Sequence, residues 1–231
     1  MTEAGTALRL TLPADYRHAD VQRFYARDRE QVSERTTGQR IEKALHWQGH
    51  PTLLQLDFSE PGSVLAQLSI AEPDTTALLH YLRNLLGLNQ DIDGLRIAHG
   101  AHPEIARLLR QTPGLRMPQS ASPFEAACWA VIGQMISVDA AISVRRRVIR
   151  ALGTPLANGM HCHPQPDALL GATPDDLRSC GLSASKAATL IRLAKAVESN
   201  QLPLDTWAAT TPSPAAAIAE GLASIKGIGP W

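Results

Sequence analysis

The sequence has no surplus of charge of either sign: 22 Lys and Arg stand against 22 Asp and Glu, for a formal net charge of zero. A small protein that held a polyanion by electrostatics alone would be basic, so composition offers no case for a nucleic-acid partner, and that case has to come from local motifs. Long apolar runs are lacking too. No stretch approaches the ~18 residues that a membrane-spanning helix needs, so no membrane is expected as a partner. Cysteine is scarce: Cys128, Cys162 and Cys180 are odd in number and form no CxxC pair. That usage argues against a disulfide framework and fits free thiols in a reducing cytoplasm. Residues 1–13 carry Glu3 and a single arginine and do not read as a secretory signal. Only 4% of residues are aromatic, and Trp129 and Trp207 are expected to pack in a core.

What is present is ample apolar material, 44% of 231 residues, enough for two domains. The first, over 1–104, reads as α+β. Leu8, Leu10 and Leu12 alternate with polar residues as a half-buried strand does, and Leu54, Leu56 and Phe58 repeat the pattern. Residues 64–70 supply a neighbouring strand after the Glu60-Pro61-Gly62 turn. A short helix is predicted over 19–29, presenting Val21, Phe24 and Tyr25, and another carries Leu78, Leu82 and Leu85 on one face.

The second domain, over 105–231, reads as purely helical. Ser122-Pro123-Phe124-Glu125 is a capping-box start with proline at the first helical position, and Thr173-Pro174-Asp175-Asp176 repeats the idea. Ser213-Pro214 opens a third helix, and an apolar stripe of Ala187, Leu190, Ile191, Ala194 and Val197 predicts a helix over 183–199. Near the end, Ile225-Lys226-Gly227-Ile228-Gly229-Pro230-Trp231 reads as a helix end, a glycine turn and the proline start of a second helix. Such a turn exposes several backbone N–H groups on one side and suits a phosphate oxygen without needing cationic side chains. A plain helix-ending turn has the same residues, so the motif alone leaves both readings open.

Three ordered elements extend that reading. Gly227-Ile-Gly-Pro-Trp231 resembles the hairpin of the helix-hairpin-helix (Gly/Pro-Asp) DNA glycosylase superfamily. Pro113-Gly-Leu-Arg-Met-Pro118, Ser122-Pro-Phe-Glu125 and Ile132-Gly-Gln-Met-Ile-Ser-Val138 resemble the opening of the helical domain in its bacterial 3-methyladenine glycosylase II branch. Gly181-Leu-Ser-x-x-Lys186 resembles a later helix start of the same domain.

The resemblance implies an α+β N-terminal domain with a TATA-binding-protein-like sheet, followed by an all-α helix-hairpin-helix glycosylase domain. It implies a monofunctional base excision repair enzyme, a monomer that extrudes and removes alkylated purines from duplex DNA without cofactor or metal. By the same resemblance Met135 is the apolar wedge that fills the gap left by the extruded base, and Gln134 is its polar neighbour at base edges. Gly227 and Gly229 hold phosphate with Lys226 beside them, while Phe24 and Trp231 line the base pocket.

No catalytic residue carries over. The family aspartate lies beyond the second hairpin helix, so its position is expected past Trp231, in a chain expected to be truncated at the hairpin. Asp139, Asp175, Asp176 and Asp205 precede the hairpin and read as helix or cap residues. A catalytically incomplete DNA-binding remnant, or a fragment without DNA affinity, stays open as an alternative. Arg145-Arg146-Arg147 with Arg150 is expected to be a solvated face, and His161-Cys162-His163 a loop rather than a metal site.

Overall fold

The computed structural model describes residues 6–70, 73–210 and 214–229. The chain divides into two compact units, Met1–Lys43 with Thr52–Gln119, and Ala44–Pro51 with Ser120–Trp231. The first unit therefore runs to Gln119, fifteen residues past the limit at 104 read from the sequence. A helical pattern over 105–111 says that a helix forms there; it does not say which body that helix joins.

The sheet contains β1 (Thr6–Thr11), β2 (Glu34–Thr37), β3 (Arg40–Trp47), β4 (His50–Asp57) and β5 (Ser63–Leu68), in the order β1-β5-β4-β3-β2. Its register follows from alternation. Leu10 pairs with Val64, Leu56 with Ala66 and Leu54 with Leu68, all on antiparallel strands and all buried. A slip of one residue would turn this whole apolar set to solvent. Helix α1 (His18–Tyr25) contacts β2 and buries Val21 and Tyr25, and α2 (Thr75–Leu85) buries Leu78, Leu82 and Leu85. Two more helices complete the unit, α3 (Ile92–His99) and α4 (Pro103–Gln111).

Two features of this unit depart from the sequence reading. The helix expected to run to 29 stops at Tyr25, because the Asp28 carboxylate accepts from the backbone N–H groups of Glu30 and Val32 and draws the chain into a turn. Strands β2 and β3 were not legible. Lys43 sits in the middle of β3 and is 1% exposed, its ammonium donating to Glu34 at 2.7 Å and to the Ser33 hydroxyl at 2.9 Å. A lysine at a buried strand position breaks the alternation that a strand normally shows; only a paired carboxylate makes it tolerable.

The second unit takes in residues 44–51, which are the end of β3, its turn and the start of β4, and is otherwise built mainly of helices. Its elements are α5 (Pro123–Gly133), α6 (Val138–Leu152), α7 (Pro166–Gly171), α8 (Pro174–Ser179), α9 (Ala184–Glu198), α10 (Leu204–Ala209) and α11 (Ala215–Ser224). Helix starts lie close to where capping residues put them. Ser122 accepts from Glu125 N, Ser183 from Lys186 N, and Thr173 with Asp176 closes a reciprocal capping box. Pro214 occupies the N-cap position of α11, and Ser213 lies outside the described residues. The core gathers Phe124, Ile132, Val148, Leu177, Leu190 and Ile225, with Trp129 and Trp207 packed against it.

Arg145 corrects the expectation of a solvated arginine face. It is 7% exposed, because it falls on the stripe of α6 formed by Ala141, Val144, Val148 and Ile149. Its guanidinium meets Glu125 of α5 at 2.5 Å and lies 6.0 Å from the Trp129 ring centroid. The His161–His163 segment follows an isolated bridge between Pro155 and His161, with the Cys162 thiol donating to Leu45 O. Among the described residues no cluster of His, Cys, Asp and Glu could hold a metal, and no helix is long and apolar enough to cross a membrane.

Candidate nucleic-acid interface

Two turns of the helical unit carry the residues singled out by sequence. The first joins α5 to α6. Helix α5 ends at Gly133, Gln134 turns the chain, and the Ser137 hydroxyl caps α6 by accepting from Ala140 N. Between them Met135 adopts φ of 55° and is 100% exposed, beside Ile136 at 40% and Val138 at 63%. A methionine in the left-handed region with its whole side chain in water gains nothing from packing.

The backbone conformation costs a residue with a Cβ about 1–2 kcal/mol, against the roughly 0.5–1 kcal/mol of extra chain entropy that a glycine would lose. Met135→Gly is therefore expected to raise stability by about 0.5 kcal/mol, read as a higher denaturation midpoint at unchanged slope. A lower midpoint would mean that the side chain packs after all.

The second turn follows α11. Ile225 is buried and anchors it, and Ile228 packs against the same core. Gly227 has φ of 106°, and a Cβ there would run into the hydroxyl of Thr189. The amides of the turn are not equivalent. The Ile228 N–H donates to Ile225 O at 2.9 Å, whereas those of Gly227 and Gly229 meet no acceptor among the described residues. The Lys226 side chain is exposed. Pro230 and Trp231 lie outside the described residues.

The tertiary fold brings these two turns together across more than ninety positions of sequence. Gln134 Nε2 donates to Gly227 O at 3.3 Å. Three residues of α9 that the sequence reading did not single out as functional complete the arrangement. Lys186 Nζ donates to Ile132 O at 2.9 Å, and desolvation holds its ammonium below the usual lysine range. Arg192 Nη1 donates to Lys226 O at 2.8 Å, and the single proton of Thr189 Oγ1 is shared between Lys226 O at 3.2 Å and Ser185 O of its own helix at 2.9 Å. Their sequence signal was available: polar residues at 186, 189 and 192 recur every three positions beside an apolar stripe.

Phe24 belongs to the first unit, where it is half-buried. The Arg27 guanidinium lies 3.8 Å from its ring centroid and Tyr25 meets it edge-on at 5.1 Å. Asp175 pairs with Arg178 at 3.0 Å and Asp176 is held in the capping box, which keeps its carboxyl below the usual range. Asp139 and Asp205 stand in the first turns of α6 and α10.

Comparison with known proteins follows the same division. Residues 7–122, just over half of the chain, match the model of the AlkA N-terminal domain, and residues 128–225 match that of the HhH-GPD superfamily base excision DNA repair protein. The chain is 33% identical over 138 residues to DNA-3-methyladenine glycosylase 2 of Escherichia coli K12, a match covering 59% of this chain and 46% of that protein. It spans about half the length of the curated relatives it matches.

Among solved structures, the 3-methyladenine DNA glycosylase of Archaeoglobus fulgidus superposes with a TM-score of 0.80 at 23% identity, over 96% of this chain and 75% of that one. The Clostridium acetobutylicum 8-oxoguanine glycosylase/lyase, in complex with double-stranded DNA, superposes with a TM-score of 0.63 at 15% identity, over 86% and 65%. Both likenesses concern the fold.

Proposed function

The chain belongs to the HhH-GPD superfamily of base excision DNA repair proteins, with an AlkA N-terminal domain ahead of its helical one, and from that premise we propose that it acts as a DNA glycosylase on alkylated purines of the 3-methyladenine type in duplex DNA. The observation that carries this reading is the pairing of two turns: a fully exposed Met135 in a left-handed conformation, tied through Gln134 to the glycine turn at 227–229.

The chemistry proceeds from those residues. The Gly227 and Gly229 amides, with Lys226 beside them, take a backbone phosphate and fix the register of the duplex without reading sequence. Met135 enters the stack where a nucleotide leaves it. Its unbranched thioether chain adapts to the gap, and Ile136 and Val138 extend the apolar surface behind it. An alkylated pair is cheaper to open than an intact one, which makes extrusion selective. Alkylated purines carry positive charge, so they leave readily and are drawn to electron-rich rings.

Phe24 and Trp231 are the aromatic residues proposed for stacking the extruded base. The Arg27 guanidinium lies over one face of the Phe24 ring. None of the aspartates described above follows the hairpin, and no catalytic carboxylate is assigned to them. The reading includes action as a monomer, without cofactor, in the cytoplasm.

Incubation of the chain with alkylated duplex DNA tests the proposal. Release of 3-methyladenine or 7-methylguanine above the spontaneous rate supports it. Binding of alkylated duplex with no release at high protein concentration would reduce it to a DNA-binding role, and absence of both would remove it.

Grip by backbone amides and one lysine displaces few counterions. The slope of log affinity against log salt is therefore expected to be shallow, about −1 to −2, since each neutralised phosphate contributes roughly −0.9. Lys226→Ala should reduce that slope by about 1. A wild-type slope steeper than about −6 would point to a broad cationic face and away from this hairpin as the main contact.

A further inference from the structure

Helix α9 holds both turns from one row of side chains. Lys186, Thr189 and Arg192 are spaced three apart, so they rise along one side of the helix over about 9 Å. Each reaches a backbone carbonyl of another element: Lys186 that of Ile132, in the last turn of α5 just before Met135, and Arg192 that of Lys226, at the glycine turn, where Thr189 shares its proton between Lys226 O and Ser185 O. Gln134 closes the circuit onto Gly227 O.

The carbonyl of Lys226 and the N–H of Gly227 belong to one planar trans peptide and point in opposite directions. Anchoring that carbonyl to α9 therefore aims the Gly227 N–H away from the protein. The charged Arg192 donor, joined by the Thr189 hydroxyl when its proton turns from Ser185 O, polarises the peptide and makes the N–H a stronger donor. The contact is also the reason glycine is needed there, since the Thr189 hydroxyl occupies the space of a Cβ.

We infer that Lys186, Thr189 and Arg192 are positioning residues: α9 is a template that orients the anion-binding amide of Gly227 and sets its distance from the Met135 turn. This rests on the function proposed above, in which one turn grips phosphate while the other enters the base stack. A template is needed because the two turns act on the same duplex at once. A hairpin that binds while the wedge is displaced yields plain duplex binding without distortion.

The test uses the full chain and two readouts. The first needs no DNA: the amide resonance of Gly227, whose nitrogen shift responds to hydrogen bonding at the preceding carbonyl. It is expected to move upfield in Thr189→Val and Arg192→Met and to return in Thr189→Ser. The second is affinity for an undamaged duplex and for one carrying a tetrahydrofuran abasic-site analogue. Thr189→Val should weaken both by about threefold to tenfold, the range of one hydrogen bond. Lys186→Met should leave the undamaged duplex nearly unchanged and reduce the preference for the analogue by a similar factor, with Lys186→Arg restoring it.

Unchanged resonance and affinities would overturn the inference. So would an equal loss on both duplexes in Lys186→Met together with a shallower salt slope, which would make Lys186 a direct phosphate ligand. A fall in melting temperature with the preference intact would make it merely structural, and would also overturn it. If the wild-type chain bound no duplex, the proposed function would fail, and the Gly227 resonance would still decide whether α9 orients that amide.

Discussion

Gly227→Ala is expected to lower the affinity for duplex DNA by about tenfold to a hundredfold, the equivalent of roughly 1.4–2.8 kcal/mol. Two effects act together. At φ of 106° any residue with a Cβ is strained, at a cost of about 1–2 kcal/mol. That Cβ would also meet the Thr189 hydroxyl, which must withdraw from the Lys226 carbonyl it holds. Relief of both requires the turn to lift away from α9, taking with it the outward aim of the amides.

Gly159 supplies the control. Its φ is 81°, and a Cβ there would meet nothing within 4 Å, so Gly159→Ala should carry the backbone strain alone and leave DNA affinity unchanged. Titration of a labelled duplex at fixed salt measures both. Equal affinities for wild type and Gly227→Ala would exclude the glycine turn as a DNA contact.

The largest effect on stability is expected from Glu125→Ala. Glu125 and Arg145 are both buried and meet at 2.5 Å between α5 and α6. These two helices flank the Gln134–Met135 turn. Removing the carboxylate leaves a guanidinium in a low-dielectric core, and breaking such a pair typically costs about 3–5 kcal/mol. Chemical denaturation should show this as a lower midpoint.

The double replacement Glu125→Leu with Arg145→Met removes both charges at similar volume and should recover most of the loss, because an ion pair stabilises a core little beyond what apolar packing does. If the double variant were as unstable as the single one, the pair would be contributing through its geometry rather than by mutual neutralisation. Cys128, packed next to this pair, has its thiol pushed well above the ordinary range by burial and the nearby carboxylate, so it should stay unreactive toward alkylating reagents in the folded protein.

Part of this architecture is written in local chemistry and can be read directly. Ser122, Thr173 and Ser183 mark helix starts because a side-chain oxygen ahead of a helix satisfies an orphan N–H whatever the surroundings. Leu54, Leu56 and Phe58 mark a strand because alternation puts side chains on one face of a pleat. The glycine turn at 227–229 was legible for the same reason, as a helix end with residues suited to a turn, whereas the Gln134–Met135 junction was picked out only by its resemblance to the glycosylase family.

Burial of charge was not legible. Lys43 and Arg145 read as surface residues until Glu34 and Glu125 are seen opposite them, and a partner on another element leaves no mark in neighbouring sequence. The boundary of the first unit, after Gln119 rather than at 104, was equally a matter of which body each helix packs on.

The sequence by itself determined the helix starts, the apolar faces of β1, β4 and β5, and the glycine turn at 227–229, while the part given to the two turns in the proposed function came from family resemblance. The local features depend on bonds and periodicities spanning a few residues. Only the tertiary structure decided that the turns stand side by side, that Gln134 joins Gly227, and that Lys186, Thr189 and Arg192 of one helix hold both. A hydrogen bond between residues far apart in the chain forms only after the core has placed their elements.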